Sequence, residues 1–173
     1  GVIPTDASYV LVCGVDQKQA LERIRRIRQL NDKHQFSVLC QDLANIATYA
    51  QVDNQQYRFL KQHVPGAFTF ILVATKELPR RLSHPTKKTI GIRIPQQVVC
   101  QAILLAFGEP LLATTLILPP DQEPLCDPYD MQDMLSGQVD FIVDGGYGSP
   151  FMTTVLDLSQ DEMQLVRQGL GEV

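Results

Sequence analysis

The chain alternates short apolar runs with stretches whose apolar residues recur every three or four positions, the patterns of strands and amphipathic helices. Residues 7–13 (ASYVLVC), 36–40 (FSVLC), 67–74 (AFTFILVA), 89–94 (TIGIRI) and 110–118 (PLLATTLIL) read as strands. Residues 139–143, 153–158 and 164–167 read as three more, with Asp144-Gly145-Gly146 as a turn after the first of them. The helices carry start and stop signals. Asp16 with Gln19 has the spacing of a capping box, and KQALERIRRIRQL then sets Ala20, Ile24 and Ile27 on one face. Asp42 is placed to cap a helix reaching about residue 50. Asp53 with Gln56 forms a second capping box, for a helix that stops before Pro65-Gly66. Residues 97–107 form an apolar helix closed by Gly108, Asp127-Pro128 opens another, and residues 77–88 are a polar, basic loop. This order predicts an α/β fold in one domain over residues 1–173: a mixed, twisted sheet covered by helices, because strands so apolar need cover on both faces.

Composition agrees with that picture. Of 173 residues, 45% are apolar and 20% charged, enough for one full core and against disorder. No run of about 20 residues is apolar throughout, so no membrane span is expected. The longest uncharged run, residues 94–108, is broken by Pro95, Gln96, Gln97 and Gln101. Pro4, Thr5 and Asp6 interrupt any apolar start, which argues against a secretory signal. The net charge of −4, from 15 basic and 19 acidic side chains, argues against a coat for nucleic acid and leaves room for a local basic patch. Cys13, Cys40, Cys100 and Cys126 form no C-x-x-C pair and sit among apolar neighbours, as reduced, buried thiols of a cytoplasmic protein do. His34, His63 and His84 lack ligand spacing, so no metal site is expected.

Candidate chemistry gathers at strand and helix ends. Thr5 and Asp6 place a hydroxyl and a carboxylate beside the first strand, where α/β sheets place ligands, although a plain turn explains them as well. Most of the arginines among residues 22–28 form a solvated face. Arg28 differs, because at about 100° per residue it lies some 40° from Ile24, on the apolar side. A guanidinium there needs a partner, a pocket or a helix that has ended. With Lys33 and His34 just beyond, it marks a candidate anion site. Thr114-Thr115 and Thr153-Thr154 are hydroxyl pairs, the second shortly after Gly145, Gly146 and Gly148. Such pairs suit phosphate or ribose, and they are also common in strands for packing reasons. No Ser-His-Asp order, H-E-x-x-H, P-loop or G-x-G-x-x-G occurs.

Seven segments in order resemble the YrdC/YciO-like family, the threonylcarbamoyl-AMP synthase superfamily. PTDASYVLVC is similar to its PTDTVYGLG segment, and RIRQLNDKHQFSVLC stands where the family has Lys-x-Arg. VPGAFTFIL resembles its Pro-Gly-x-x-Thr strand, and GIRIP its strand ending in Arg-x-Pro. GEPLLATT, DGG with TTVLDL, and VRQG complete the series, with RIRQL and GIRIP closest to the YciO branch. Against the family, the start looks truncated, with an initial helix absent or lying outside this sequence. The resemblance implies a sheet around a wide basic cavity. It also implies condensation of L-threonine, bicarbonate or CO₂, and ATP with Mg²⁺ to threonylcarbamoyl-AMP and pyrophosphate, for a transferase that modifies tRNA. By resemblance Arg28, Lys33 and Arg93 neutralise charge, Thr5 and Tyr9 hold threonine or the adenylate, and His34, Thr69, Thr114, Thr115, Thr153 and Arg167 line the nucleotide side.

Two departures weaken the implied activity. Arg28-Gln29-Leu30 replaces Lys-x-Arg, and Thr115-Leu116-Ile117 replaces Ser-x-Asn, so one cation and one amide are lost. Phosphoryl-type transfer depends on positioning and charge neutralisation, so these losses weaken the grip on a triphosphate. Three functions therefore compete: a synthase of low activity, binding or hydrolysis of an acyl-adenylate or nucleotide in the same cavity, and a module for tRNA or double-stranded RNA. The last would use Arg23, Arg25, Arg26, Arg80, Arg81, Lys87 and Lys88 as a basic rim.

Overall fold

Eight strands form a single open sheet in the computed structural model, which describes residues 1–173. The strands are β1 (Val2–Ile3), β2 (Val10–Gly14), β3 (Ser37–Leu39), β4 (Phe68–Val73), β5 (Thr89–Arg93), β6 (Leu111–Thr115), β7 (Thr154–Asp157) and β8 (Gln164–Arg167). Their order across the sheet is β1-β2-β6-β3-β5-β4-β7-β8. The pairs β3–β5 and β4–β7 are parallel and the others antiparallel, which makes the sheet mixed. The helices are α1 (Lys18–Arg28), α2 (Leu43–Tyr49), α3 (Asn54–His63), α4 (Val98–Phe107) and α5 (Pro128–Leu135).

Alternation along the strands sorts the core into two layers. Leu11, Val38, Phe70, Leu72, Ile90, Ile92, Leu112 and Leu156 point to one face, where Leu21, Ile24, Ile46, Leu60, Met131 and Leu135 of α1, α2, α3 and α5 meet them. Val10, Val12, Leu39, Leu111 and Ala113 point to the other, where Cys100 and Leu104 of α4 are the helical contribution. Four helices thus cover one face and a single helix covers part of the second. The expected cover on both faces is incomplete, and the open part of the second face is the concavity described below. No helix is long and apolar enough to cross a membrane.

Several local signals act as read from the sequence. Asp42 accepts the Asn45 N–H at 3.0 Å, and Asp53 and Gln56 exchange both bonds of a capping box. Gly108 closes α4 at φ 78°, in the left-handed region that favours glycine. Three expectations need correction. Gln17, not Asp16, precedes α1 and makes no side-chain cap, because the Gln17 N–H closes a turn on the Gly14 carbonyl and Asp16 lies one residue too early. The strand expected from residue 7 begins at Val10, because the Thr5 hydroxyl captures the Ser8 carbonyl and the Ala7 N–H in a turn. That turn lets Val2–Ile3 pair back as an unexpected edge strand. Residues 139–143 are not a strand; they join β1 through one isolated bridge, Val2 to Ile142.

All four cysteines are free and buried. Burial pushes the thiol of Cys13 up to about 11, of Cys40 to about 12 and of Cys100 to about 11. Thiolate is the reactive form, so these three resist iodoacetamide at pH 8 until the protein unfolds. Mass spectrometry after a timed native incubation checks this; rapid alkylation of any of them would contradict it.

Candidate functional site

The open part of the second face holds a concave cavity of about 310 Å³, at the small end of the roughly 300–1,000 Å³ typical of ligand sites. Ser37, Thr69, Ile71, Gly91, Ala113 and Thr115 of the central strands form its floor. A Cβ at Gly91 would come within 3.0 Å of Ser37 Oγ and 3.1 Å of Thr69 Cγ2, so glycine keeps this floor open. Three arginines stand around it: Arg28 at the end of α1, Arg93 at the end of β5 and Arg167 at the end of β8. No carboxylate lines it.

Arg28 reaches the cavity because α1 ends there. Gln29 adopts the left-handed conformation, its N–H bonds to the Arg26 carbonyl, and the Leu30 N–H bonds to that of Arg25. These are the two bonds of a Schellman turn, which commonly buries an apolar residue at the position Leu30 occupies. Leu30 packs against the main core. The way this helix terminates therefore commits position 30 to the core. Ile117, at the other altered position, lines the cavity directly.

Arg28 Nη1 donates to Thr114 Oγ1 at 2.8 Å, and His34 Nε2 lies 2.9 Å from the same oxygen. Burial first, then the charges of Arg28 and Arg25, pull the His34 pKa down to about 4, so its ring is neutral at pH 7. Thr114 can then accept from Arg28 and donate to Nε2. Opposite, Thr69 and Thr153 share a hydrogen bond of 2.7 Å, and Arg167 donates through Nε to the Thr153 carbonyl at 3.0 Å and through Nη2 to its hydroxyl at 3.3 Å. Burial lowers the pKa of Arg28, Arg93 and Arg167 alike. Desolvated guanidiniums beside hydroxyls make a site for anions.

The lowered His34 pKa carries a sign. The unfolded ring takes a proton near its ordinary value of 6.5 and the folded ring near 4, so the unfolded state binds more protons between those values. Stability therefore falls as pH drops through this window. The ring is partly exposed, so solvent screening limits the loss to about 1–2 kcal/mol. Urea unfolding at pH 7 and pH 4.5 measures the loss, and His34→Gln should remove that share of it.

The structure gathers Arg28, His34, Thr69, Arg93, Thr114, Thr115, Thr153 and Arg167 around one cavity, and leaves Thr5, Tyr9 and Lys33 off its lining. Thr5 stands behind Arg93, its hydroxyl donating to the Ser8 carbonyl and accepting from Arg93 Nη2 at 3.2 Å. The Tyr9 hydroxyl donates to the Gly146 carbonyl at 2.6 Å and accepts the Gly145 N–H at 2.9 Å, strapping the glycine turn to β2. Lys33 is exposed on the loop after α1. Two basic residues grouped in the RNA reading are engaged separately: Arg23 pairs with Asp140 at 3.3 Å, and Arg25 lies 5.1 Å over Phe36. Sequence reasoning passed over Ser37, Gly91 and Met152, and it singled out Asp6 beside Thr5 without seeing its pairing with Arg93. A glycine inside an otherwise β-branched strand was the available signal for Gly91.

Comparison with known proteins agrees with this fold. The Sua5/YciO/YrdC family profile, described as "Telomere recombination", matches residues 1–169. The YciO protein of Escherichia coli K12 is 48% identical over 172 residues, covering 99% of this chain and 84% of that protein. The crystal structure of E. coli YciO superposes with a TM-score of 0.94 over 99% of this chain and 83% of that one. Human threonylcarbamoyl-AMP synthase is 29% identical over 164 residues, 91% of this chain and 57% of that protein. The crystal structure of P. abyssi Sua5 complexed with L-threonine has a TM-score of 0.88 at 19% identity, covers 97% of this chain and 49% of that one, and shows likeness of fold alone. A profile matched over nearly the whole chain, and a relative almost half identical along it, make this chain a member of the Sua5/YciO/YrdC family.

Proposed function

We propose that the cavity holds an adenylate and that the protein is a threonylcarbamoyl-AMP synthase-type enzyme of reduced activity. The observation that carries this reading is the ring of three arginines, Arg93 buried and Arg28 and Arg167 half-buried, around a hydroxyl-lined floor with no carboxylate. Kinship to a named synthase, and a related fold crystallised with L-threonine, support the choice of substrate. In the proposed reaction L-threonine and bicarbonate or CO₂ give the amino-acid carbamate. A carbamate oxygen then attacks the α-phosphorus of ATP, the bond to the bridging oxygen breaks, and pyrophosphate leaves. Arg28, Arg93 and Arg167 neutralise the phosphates, and Thr115 and Thr153 offer hydroxyls to the phosphate and nucleoside. Thr5 holds Arg93, and Tyr9 holds the glycine turn beside the site. Mg²⁺ would enter with ATP as part of the substrate. The product would supply the threonylcarbamoyl group for tRNA modification by a separate transferase.

The test is incubation with MgATP, L-threonine and bicarbonate, followed by mass spectrometry for threonylcarbamoyl-AMP and an assay for released pyrophosphate. Threonine-dependent product is expected. Tight AMP binding with no such product would replace the synthase reading by binding or hydrolysis of an acyl-adenylate. Ile117→Asn returns an amide to the cavity wall, and a hydrogen bond to a charged group contributes roughly 1.5–3 kcal/mol. Turnover of ATP by this variant should rise about tenfold in the same assay.

A further inference from the structure

The only two buried side-chain nitrogen or oxygen atoms without a hydrogen-bond partner are Arg28 Nε and Arg93 Nε, and both arginines line the cavity. Native proteins satisfy nearly all such groups, so a pair of orphans at one site calls for an explanation. Arg93 is the more extreme, at 5% exposure. Its Nη2 lies 3.4 Å from Asp6 Oδ1, and Asp6 is the one carboxylate paired with it. The second oxygen of Asp6 accepts the Gln96 N–H at 2.8 Å, which fixes the carboxylate behind the arginine. Asp6 is not part of the cavity wall. Arg93 is thus held from behind by a carboxylate while its Nε–H has no partner. Burial pulls its pKa down and Asp6 opposes that pull.

We propose that Asp6 is the resident counter-ion that sets the anion affinity of the cavity, balancing Arg93 in the free protein and sharing it with a phosphate-type anion in the complex. This rests on the reading of the cavity as a nucleotide site. Coulomb energy scales with the ligand's charge, so the resident carboxylate disfavours polyphosphates more than a singly charged phosphodiester. Asp6 is a specificity-determining residue that acts through Arg93. Without it the buried guanidinium has no compensating charge, and a bound anion must supply one.

The experiment is thermal unfolding in chloride buffer, with and without inorganic pyrophosphate, for wild type, Asp6→Asn, Asp6→Glu and the double variant Asp6→Asn/Arg93→Gln. Asp6→Asn should melt below wild type in chloride, gain more from pyrophosphate, and bind it about tenfold more tightly by calorimetry. Asp6→Glu, which keeps the charge, should respond as wild type does, and the double variant should lose the enhanced response. A purely structural role would lower the melting temperature equally with and without pyrophosphate. A wild-type response to pyrophosphate with an equal or smaller one from Asp6→Asn therefore overturns the inference and leaves the nucleotide reading intact. No response in either overturns both. If Asp6→Asn does not fold in chloride, refolding yield against pyrophosphate reads the same dependence: recovery supports the counter-ion role, and none at saturating pyrophosphate refutes it.

Discussion

Arg28→Ala is expected to weaken ATP binding by about 1.5–3 kcal/mol, the contribution of charge-assisted hydrogen bonds, while Arg26→Ala leaves it unchanged. The two residues sit within one turn of α1 and carry the same charge, so the contrast isolates position. Arg28 is half-buried at the helix end, fixed through Nη1 to Thr114, with an unpartnered Nε beside the cavity. Arg26 is exposed, and a solvated, screened charge contributes little. Leu30 cannot substitute, because the Schellman turn commits it to the core. Calorimetric titration of ATP against the three proteins decides the matter: equal affinities for Arg28→Ala and wild type would remove this segment from the phosphate site.

The second large effect is on stability. Arg93→Met should cost about 3–5 kcal/mol, because it leaves the Asp6 carboxylate, 12% exposed, without its partner charge. The Gln96 N–H still satisfies one oxygen, which places the expected value at the lower end of that range. Replacing both members, as Arg93→Met with Asp6→Asn, should recover a large part of the loss, because the uncompensated charge rather than the missing bond dominates. Urea unfolding with a double-mutant cycle measures both. A single-variant loss below about 1 kcal/mol would mean that water reaches Asp6 freely.

Much of the fold is written locally. The Asp53–Gln56 capping box, the Asp42 cap and Gly108 each depend on residues within four positions, and each acts as its spacing implies. Where the sequence misleads, a local turn has taken backbone that a strand or helix would use: the Thr5 side chain folds residues 5–8, and a backbone turn from Gly14 to Gln17 displaces the expected cap. The site divides in the same way. Arg28 stood out because a guanidinium on an apolar helix face needs a special environment, and that environment is the cavity. The contacts of Thr5 and Tyr9 with Arg93 and the glycine turn were not legible, because a hydroxyl that holds protein and one that holds substrate look alike in sequence. Asp6 was illegible as a counter-ion, since its partner lies 87 positions away and meets it only through the order of strands.

That order bears on how the chain is made. The strand β4 waits for β7, which pairs with it in parallel from more than 80 residues later, and β7 in turn waits for β8. Parallel and distant pairings form slowly, because loop closure must precede the contacts that reward it. A nascent chain that has emerged only to about residue 150 therefore carries an unpaired β4 edge with Phe68, Phe70 and Leu72 along it, the kind of edge that recruits other chains. It also lacks Thr153 and Arg167, and with them one wall of the cavity. If the proposed nucleotide binds in this cavity, it selects finished molecules and, present during synthesis, favours closure of the last two strands over aggregation.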